Sequence, residues 1–262
     1  MSEPVVGDAA PAARRPDDRE LIVVLKGVGK SYRRFDRQPF LVRNLVLTLT
    51  GRAPPLREFW PLRDVNFEIR RGETIGVVGA NGSGKSTLLR LIAGASSPSE
   101  GHIATRGRLA PLLALGAGFN PDMTGRECVE VNGTALGLVP SEIRARMDEI
   151  IGFAELEDFV ETPVRYYSSG MLARLGFAVA VHTEPDLLLV DEVLAVGDHA
   201  FQTKCIARIQ KLRDGGTTIL FVSHDADLVG RLCWRVLWLH DGRLERDGAP
   251  REVLDEYLRV VG

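Results

Sequence analysis

Nine residues, GANGSGKST at 79–87, leave this chain few folds to choose from. They complete the pattern G-x-x-x-x-G-K-[ST] at Gly79, Gly84, Lys85 and Ser86. TIGVV precedes them and STLLRLIA follows, so a strand enters the loop and a helix leaves it. Glycines let the backbone curl until successive N–H groups point inward, where the helix dipole also favours negative charge. A cradle of that kind suits phosphate oxygens. Gly79, Asn81, Gly82, Ser83, Gly84, Lys85, Ser86 and Thr87 are therefore the candidate phosphate site of a nucleotide. Lys85 supplies a mobile positive charge for the β- and γ-phosphates, and Ser86 offers its hydroxyl to Mg²⁺. The alternative, a plain glycine-rich turn, is disfavoured by the strand before and the helix after.

Two further apolar runs, LLLV at 187–190 and TILFV at 218–222, read as buried parallel strands, each followed by a polar cluster. The C-terminal ends of strands line the ligand crevice of an open parallel sheet. Asp191 is placed there to hold Mg²⁺ through water, and Glu192, one residue on, to polarise an attacking water as general base. Taken alone, the two would be an ordinary strand-end carboxylate pair. His224, after the second strand, is delivered to the same crevice and is read as a γ-phosphate contact. Alone it would be a polar strand terminus.

The rest of the chain fits this frame. Strands are predicted at Leu21–Leu25, Val65–Ile69 and Thr74–Val78, with a turn at Arg71-Gly72. Helical periodicity marks Lys85–Ala93, 124–137, 141–151, 170–182, 199–213 and Pro250–Val260. A closing hairpin turns at Asp241-Gly242. The fold class is α/β: a P-loop NTPase-type, mainly parallel sheet with an antiparallel part near the N-terminus. Residues 1–19 read as a disordered tail, since they are rich in Ala, Pro, Asp and Arg and lack the apolar stretch of a signal peptide. Residues 33–59 read as an irregular insertion carrying six arginines, at 33, 34, 37, 43, 52 and 57. Two readings of those arginines stand: contact with anionic headgroups or a lipid pyrophosphate, or a solvated basic loop.

Composition excludes several classes. A net charge of −2 over 262 residues gives no overall field to recruit nucleic acid. No run of about 18 apolar residues is present, so a role at a membrane requires another chain to cross it. Cys128, Cys205 and Cys233 match no metal or disulfide spacing, which suits a reducing compartment.

RYYSSGMLARLGFAVA at 165–180 puts two serines and a glycine at the mouth of a buried helix. Together with GANGSGKST, LLLVDE (187–192), Asp198 after VLAVG, and VSHD (222–225), it resembles the nucleotide-binding subunit of an ABC transporter. The likeness spans roughly residues 20–248, with a helical subdomain at about 120–183 and a C-terminal helix at 249–262. YSSGM stands where the family has its LSGGQ signature. Ser168 and Gly170 match it, whereas Tyr167, Ser169 and Met171 depart from it. The resemblance implies that Ser168, Ser169, Gly170 and Asp198 contact the ATP of a second subunit. Two copies would then close head to tail around two ATP and two Mg²⁺. A plain N-cap is the alternative for Ser168. Arg174 also matches a family arginine.

LGAGFNPDMTGREC (115–128) and DEVLAVGD resemble the subtype that exports O-antigen, teichoic acid, capsule or related glycans, in its short form without a glycan-binding domain. The resemblance implies a homodimer bound to integral-membrane permease subunits at the cytoplasmic face of the membrane. The complex would handle a lipid-linked glycan, and segment 115–130 would form the groove for the permease. Two alternatives stay open: another cargo (lipid, drug or peptide), and a soluble ABC ATPase that transports nothing. The family's catalytic-loop glutamine falls on Leu115 or Ala114, leaving Asn120 or backbone groups as substitutes. Tyr32, Phe59 and Trp60 are rival platforms for adenine, each also readable as a packed aromatic.

Overall fold

The computed structural model of the chain describes residues 19–34, 57–113, 116, 118–191, 197–223 and 225–261. Among them, strands β1 (Leu21–Arg34), β2 (Arg57–Arg70) and β4 (Glu100–Thr105) form an antiparallel sheet in the order β2-β1-β4. A second sheet runs β5-β6-β7-β3-β8-β9. Its members are β3 (Thr74–Val78), β5 (Leu109–Leu112), β6 (Leu187–Val190), β7 (Thr218–Val222), β8 (Arg235–His240) and β9 (Arg243–Gly248). All neighbours in it are parallel except β8 and β9, the expected hairpin. The α/β class and the antiparallel N-terminal part are as the sequence implied.

Period-2 alternation divides the apolar residues between two cores. Leu187, Leu189, Leu220, Val222, Ile75 and Val77 face the antiparallel sheet and helix α1 (Lys85–Ile92). Leu188, Val190, Ile219, Phe221 and Val78 face the opposite layer. That layer holds α4 (Ser169–Val181), α5 (His199–Asp214), α6 (Ala226–Leu232) and α7 (Pro250–Val261). Strands buried on both faces are the reason LLLV and TILFV are apolar apart from Thr218, whose buried hydroxyl accepts from the Gly72 N–H at 2.9 Å.

Helices α2 (Gly125–Ala135) and α3 (Pro140–Ala154) build a third core with α4. Helix α4 sends Phe177, Ala180 and Val181 into the sheet's core, and Leu175, Ala178 and Val179 into the helical one. Buried from two sides, its C-terminal half, Leu175–Val181, carries no polar residue. Among the described residues, no helix is long and apolar enough to cross a membrane.

The segment read from sequence as irregular is strand at both of its ends. Tyr32 pairs with Phe59, Arg33 with Glu58 and Arg34 with Arg57. The ladder is made with a distant partner, so local composition did not reveal it. Arg37, Arg43 and Arg52 lie outside the described residues.

The two sheets are pinned together at the edge away from the phosphate loop. Asp186, just before β6, accepts from the Arg108 backbone N–H at 2.7 Å and pairs with Arg71, which also binds Glu20. The Arg108 N–H first, and the Arg71 guanidinium next, hold the Asp186 carboxyl below its ordinary range. Its stabilisation is therefore full above the unfolded carboxyl pKa of about 4 and is lost as pH falls through the lower folded value. In urea titrations between pH 7 and pH 3, Asp186→Asn is expected to lose stability less steeply toward acid than the parent. Equal acid slopes would remove Asp186 from that role.

Candidate active site

Loop 79–84 leaves β3 and enters α1 with its glycines in left-handed conformations: Gly79 at φ 154°, Gly82 at 83° and Gly84 at 108°. Space is equally restrictive at two of them. A Cβ on Gly79 would overlap the Leu239 carbonyl and lie 2.6 Å from Ser83 Oγ. One on Gly84 would overlap the Pro61 carbonyl and lie 2.7 Å from Leu62 Cδ2. Strand β2 thus presses on the loop from the antiparallel sheet. The β8–β9 turn presses as well, the Gly242 N–H donating to Ser83 O at 3.2 Å.

Inside the loop, the buried Lys85 ammonium donates to Gly79 O at 2.6 Å and Ala80 O at 3.0 Å. Among the described residues no side chain caps α1, whose N-cap is Gly84, so its start resembles the helix ends that bind anions. Ser83 Oγ is buried with no hydrogen-bond partner among the described residues. An unpartnered buried hydroxyl, a helix start without a side-chain cap and an ammonium fit a polyphosphate. Ser86 is exposed and Thr87 half-buried in the same first turn, and Asn81 and Gly82 are exposed on the loop.

Strand register brings the acidic end to the same edge. Val77 pairs with Val222, and Val190 with Phe221, so β3, β7 and β6 end side by side. Asp191 is half-exposed at the end of β6. Ser223, after β7, donates its N–H to Val77 O at 3.4 Å. Glu192 and His224 lie outside the described residues, one residue beyond these fixed points.

The signature helix begins where the sequence placed it. Ser168 N-caps α4, its hydroxyl accepting from the Met171 N–H at 3.1 Å. The capping role is thus real, and it leaves the hydroxyl proton to donate elsewhere. Ser168 and Ser169 are exposed. Among the described residues, a Cβ on Gly170 would meet nothing closer than Ser168 Oγ at 3.7 Å. None of those residues requires glycine there, although glycine in a helix costs about 1 kcal/mol against alanine.

Asp198 N-caps α5 through the Phe201 N–H at 2.9 Å and accepts from Arg174 Nη2 at 3.0 Å. The Phe201 N–H first, with Arg174 adding, lowers its carboxyl pKa. Arg174 also binds Glu155 at 2.7 Å, stacks on the Phe201 ring at 4.7 Å, and shares Glu155 with Lys204 at 3.0 Å. The Lys204 hydrogen bond is the main cause of the lowered Glu155 pKa. Glu155 and Lys204 were not singled out in the sequence. No local spacing joins residues on three different helices.

Of the aromatic candidates, Tyr32 (42% exposed) and Phe59 (52%) face each other across β1 and β2. Trp60 lies over Gly29 and is covered by the Arg63 guanidinium at 5.1 Å. Ala114 and Leu115 lie outside the described residues. Asn120 accepts from the Asp122 N–H at 3.1 Å, so its side-chain oxygen serves the turn. Burial pushes the Cys205 and Cys233 thiols up to about 12, far from nucleophile chemistry.

A phosphate loop between a parallel strand and a helix, with the Asp191 end of β6 at the same edge, defines a P-loop nucleotide hydrolase. The ABC transporter family model matches residues 62–195. The O-antigen export system ATP-binding protein RfbB of Klebsiella pneumoniae is 47% identical over 205 residues, covering 78% of this chain and 83% of that protein. The teichoic acids export ATP-binding protein TagH of Listeria innocua is 38% identical over 243 residues, covering 93% and 71%. The ATP-binding cassette MJ0796, solved as a dimer in a post-hydrolysis state with ADP and Pi, superposes with a TM-score of 0.70 at 26% identity, covering 88% and 99%. The chain belongs to the ABC transporter family, and it is an ATPase of that family.

The Arg174 network ties the signature helix to Asp198 and to α3. Arg174→Ala is expected to lower unfolding free energy by up to about 1 kcal/mol, the scale for a mostly buried arginine whose carboxylate partners are half-exposed or more. Arg174→Lys should fall between, since it keeps the charge and loses the fork. Denaturant midpoints check both; an unchanged midpoint for Arg174→Ala contradicts the network's weight.

Proposed function

We propose that the chain powers export of a lipid-linked cell-envelope polysaccharide, as one of two identical ATPase subunits bound to a separate membrane permease. The observation that carries the two-subunit part is Gly170. A glycine that none of the described residues requires, beside two exposed serines at a helix N-terminus, suits close approach of a phosphate from outside. The cargo rests on relatives named for O-antigen and teichoic acid export. The dimeric cassette MJ0796 supports the pairing.

In this reading each chain holds one ATP and closes on the ATP of its partner. Lys85 exchanges its loop carbonyls for β- and γ-phosphate oxygens, while Gly79–Gly84 and the first turn of α1 donate backbone N–H groups. Asn81, Ser83 and Thr87 complete the cradle. Ser86 and Asp191 would hold Mg²⁺, which when bound neutralises charge on the phosphates. Glu192 takes a proton from the attacking water, and His224 contacts the γ-phosphate. Ser168, Ser169, Gly170 and Asp198 engage the partner's ATP. Tyr32, Phe59 and Trp60 all stay candidates for adenine, since Lys30 lies over the Tyr32 ring at 5.2 Å much as Arg63 lies over Trp60 at 5.1 Å. Tight closure is available only with the γ-phosphate present, so hydrolysis reopens the pair.

For the permease, the structure offers a cavity of about 360 Å³ between α2 and α3. Glu130, Val131, Thr134, Pro140, Ile143 and Arg144 line it. It overlaps the expected 115–130 groove only at its end, around Glu130. This site faces the cytoplasm in the proposal, and the chain reaches the membrane through the permease. Segment 35–56, with its arginines, is left without a role.

Glu192→Gln is expected to cut ATP turnover by about 100-fold or more, the loss of a general base, while ATP binding survives. Cells whose only copy carries it should accumulate polyprenyl-linked glycan inside and lose glycan at the surface. Normal turnover would overturn the role of Glu192. An expressed, ATPase-dead variant without accumulation would overturn the cargo.

A further inference from the structure

Tyr167 stands directly before Ser168, where the family signature has leucine, and the mechanism above gives it nothing to do. Its ring is only 8% exposed. Its hydroxyl donates to Phe159 O at 2.7 Å. A Cβ on Gly125, the first residue of α2, would overlap that hydroxyl, lie 3.3 Å from Cζ, and sit 3.2 Å from Val160 O. The ring therefore lies between the start of α2 and the short 3-10 turn Glu157–Phe159, with its hydroxyl in the space that a Cβ at position 125 would take. Burial raises the Tyr167 pKa, so the phenol stays protonated and remains a donor.

The surroundings are rigid by construction. Thr124 caps α2, accepting from the Glu127 N–H at 3.2 Å, while Glu127 accepts from the Thr124 N–H at 2.8 Å. The strip before the signature is zipped to the loop before α2. Val164 N–H donates to Met123 O at 2.8 Å and Arg165 N–H to Pro121 O at 3.0 Å, while the Arg165 side chain pairs with Asp122. A second tie runs from the Arg126 N–H to Val160 O at 3.0 Å, with Arg126 paired to Glu161 at 2.7 Å.

A purely space-filling ring would be phenylalanine, because a buried hydroxyl is costly unless it is bonded. Here the bonded hydroxyl fixes how deep the ring sits, and ring depth fixes the backbone that leads into Ser168. We propose that Tyr167, seated on Gly125, is a positioning residue: it sets the placement of Ser168 toward the partner's ATP and passes displacements of the 118–124 loop to it. The proposal rests on the reading that Ser168 meets the partner's γ-phosphate.

The test is a double-mutant cycle on the purified full chain with saturating MgATP, comparing Tyr167→Phe, Gly125→Ala and the pair, with Ser168→Ala as reference. Melting temperature and the ATP affinity of the isolated chain are measured for each. Tyr167→Phe is isosteric, so it keeps the test valid if Gly125→Ala folds poorly. The expected result is a kcat about 2- to 10-fold lower for Tyr167→Phe, the scale of one hydrogen bond, with ATP affinity unchanged. Gly125→Ala should fall further, and adding Tyr167→Phe to it should raise kcat again, because the clashing oxygen is gone. Normal kcat for Tyr167→Phe beside an impaired Ser168→Ala would overturn the positioning role alone. A double variant no better than Gly125→Ala would do the same. Normal turnover for Ser168→Ala would remove the underlying reading and this role with it.

Discussion

Everything in the site depends on one confined stretch of backbone. Gly79 and Gly84 adopt left-handed conformations and are pressed by the carbonyls of Leu239 and Pro61. Those carbonyls come from opposite sides, one from the parallel sheet and one from the antiparallel sheet. The loop is therefore a joint between the two sheets as well as a phosphate cradle. The N-terminal sheet is needed to hold the cradle's shape, which explains why so much of the chain is spent on strands that carry no catalytic group. Preorganised amides of this kind need little reorganisation when charge arrives.

The second organising element is α4. It places fully buried residues in both the sheet's core and the helical core, so it is held by both. Ser168 stands at its N-terminal end. Arg174, farther along the same helix, reaches Glu155 at the C-cap of α3 and Asp198 at the start of α5. The residues assigned to a partner's nucleotide are thus braced to each other within one chain, although they are separate in sequence. Such bracing limits the rotamer entropy lost when two copies close.

Much of this was legible in the sequence, and the reasons are local. The phosphate loop has its whole grammar in nine residues. LLLV and TILFV announce double-sided burial, and SSG before an apolar run announces a capped helix. What stayed hidden was non-local. The pairing of Tyr32 with Phe59 crosses a long intervening segment, so the ends of β1 and β2 read as irregular. Glu155 and Lys204 join Arg174 only in space. Gly125 falls in the helix predicted at 124–137, and the capping pair Thr124 and Glu127 marks that helix's start, but nothing in the sequence sets Tyr167 above it. Trp60, an equal rival for adenine in the sequence, turned out to lie under Arg63.

The central claim is that this chain completes its site only with a second copy. The most direct measurement is sedimentation of the purified Glu192→Gln chain with MgATP and, separately, with MgADP, counting bound nucleotide. The account predicts a two-chain species holding two ATP, and a single chain with ADP. A single chain that binds ATP and keeps its mass at every concentration tested would contradict it.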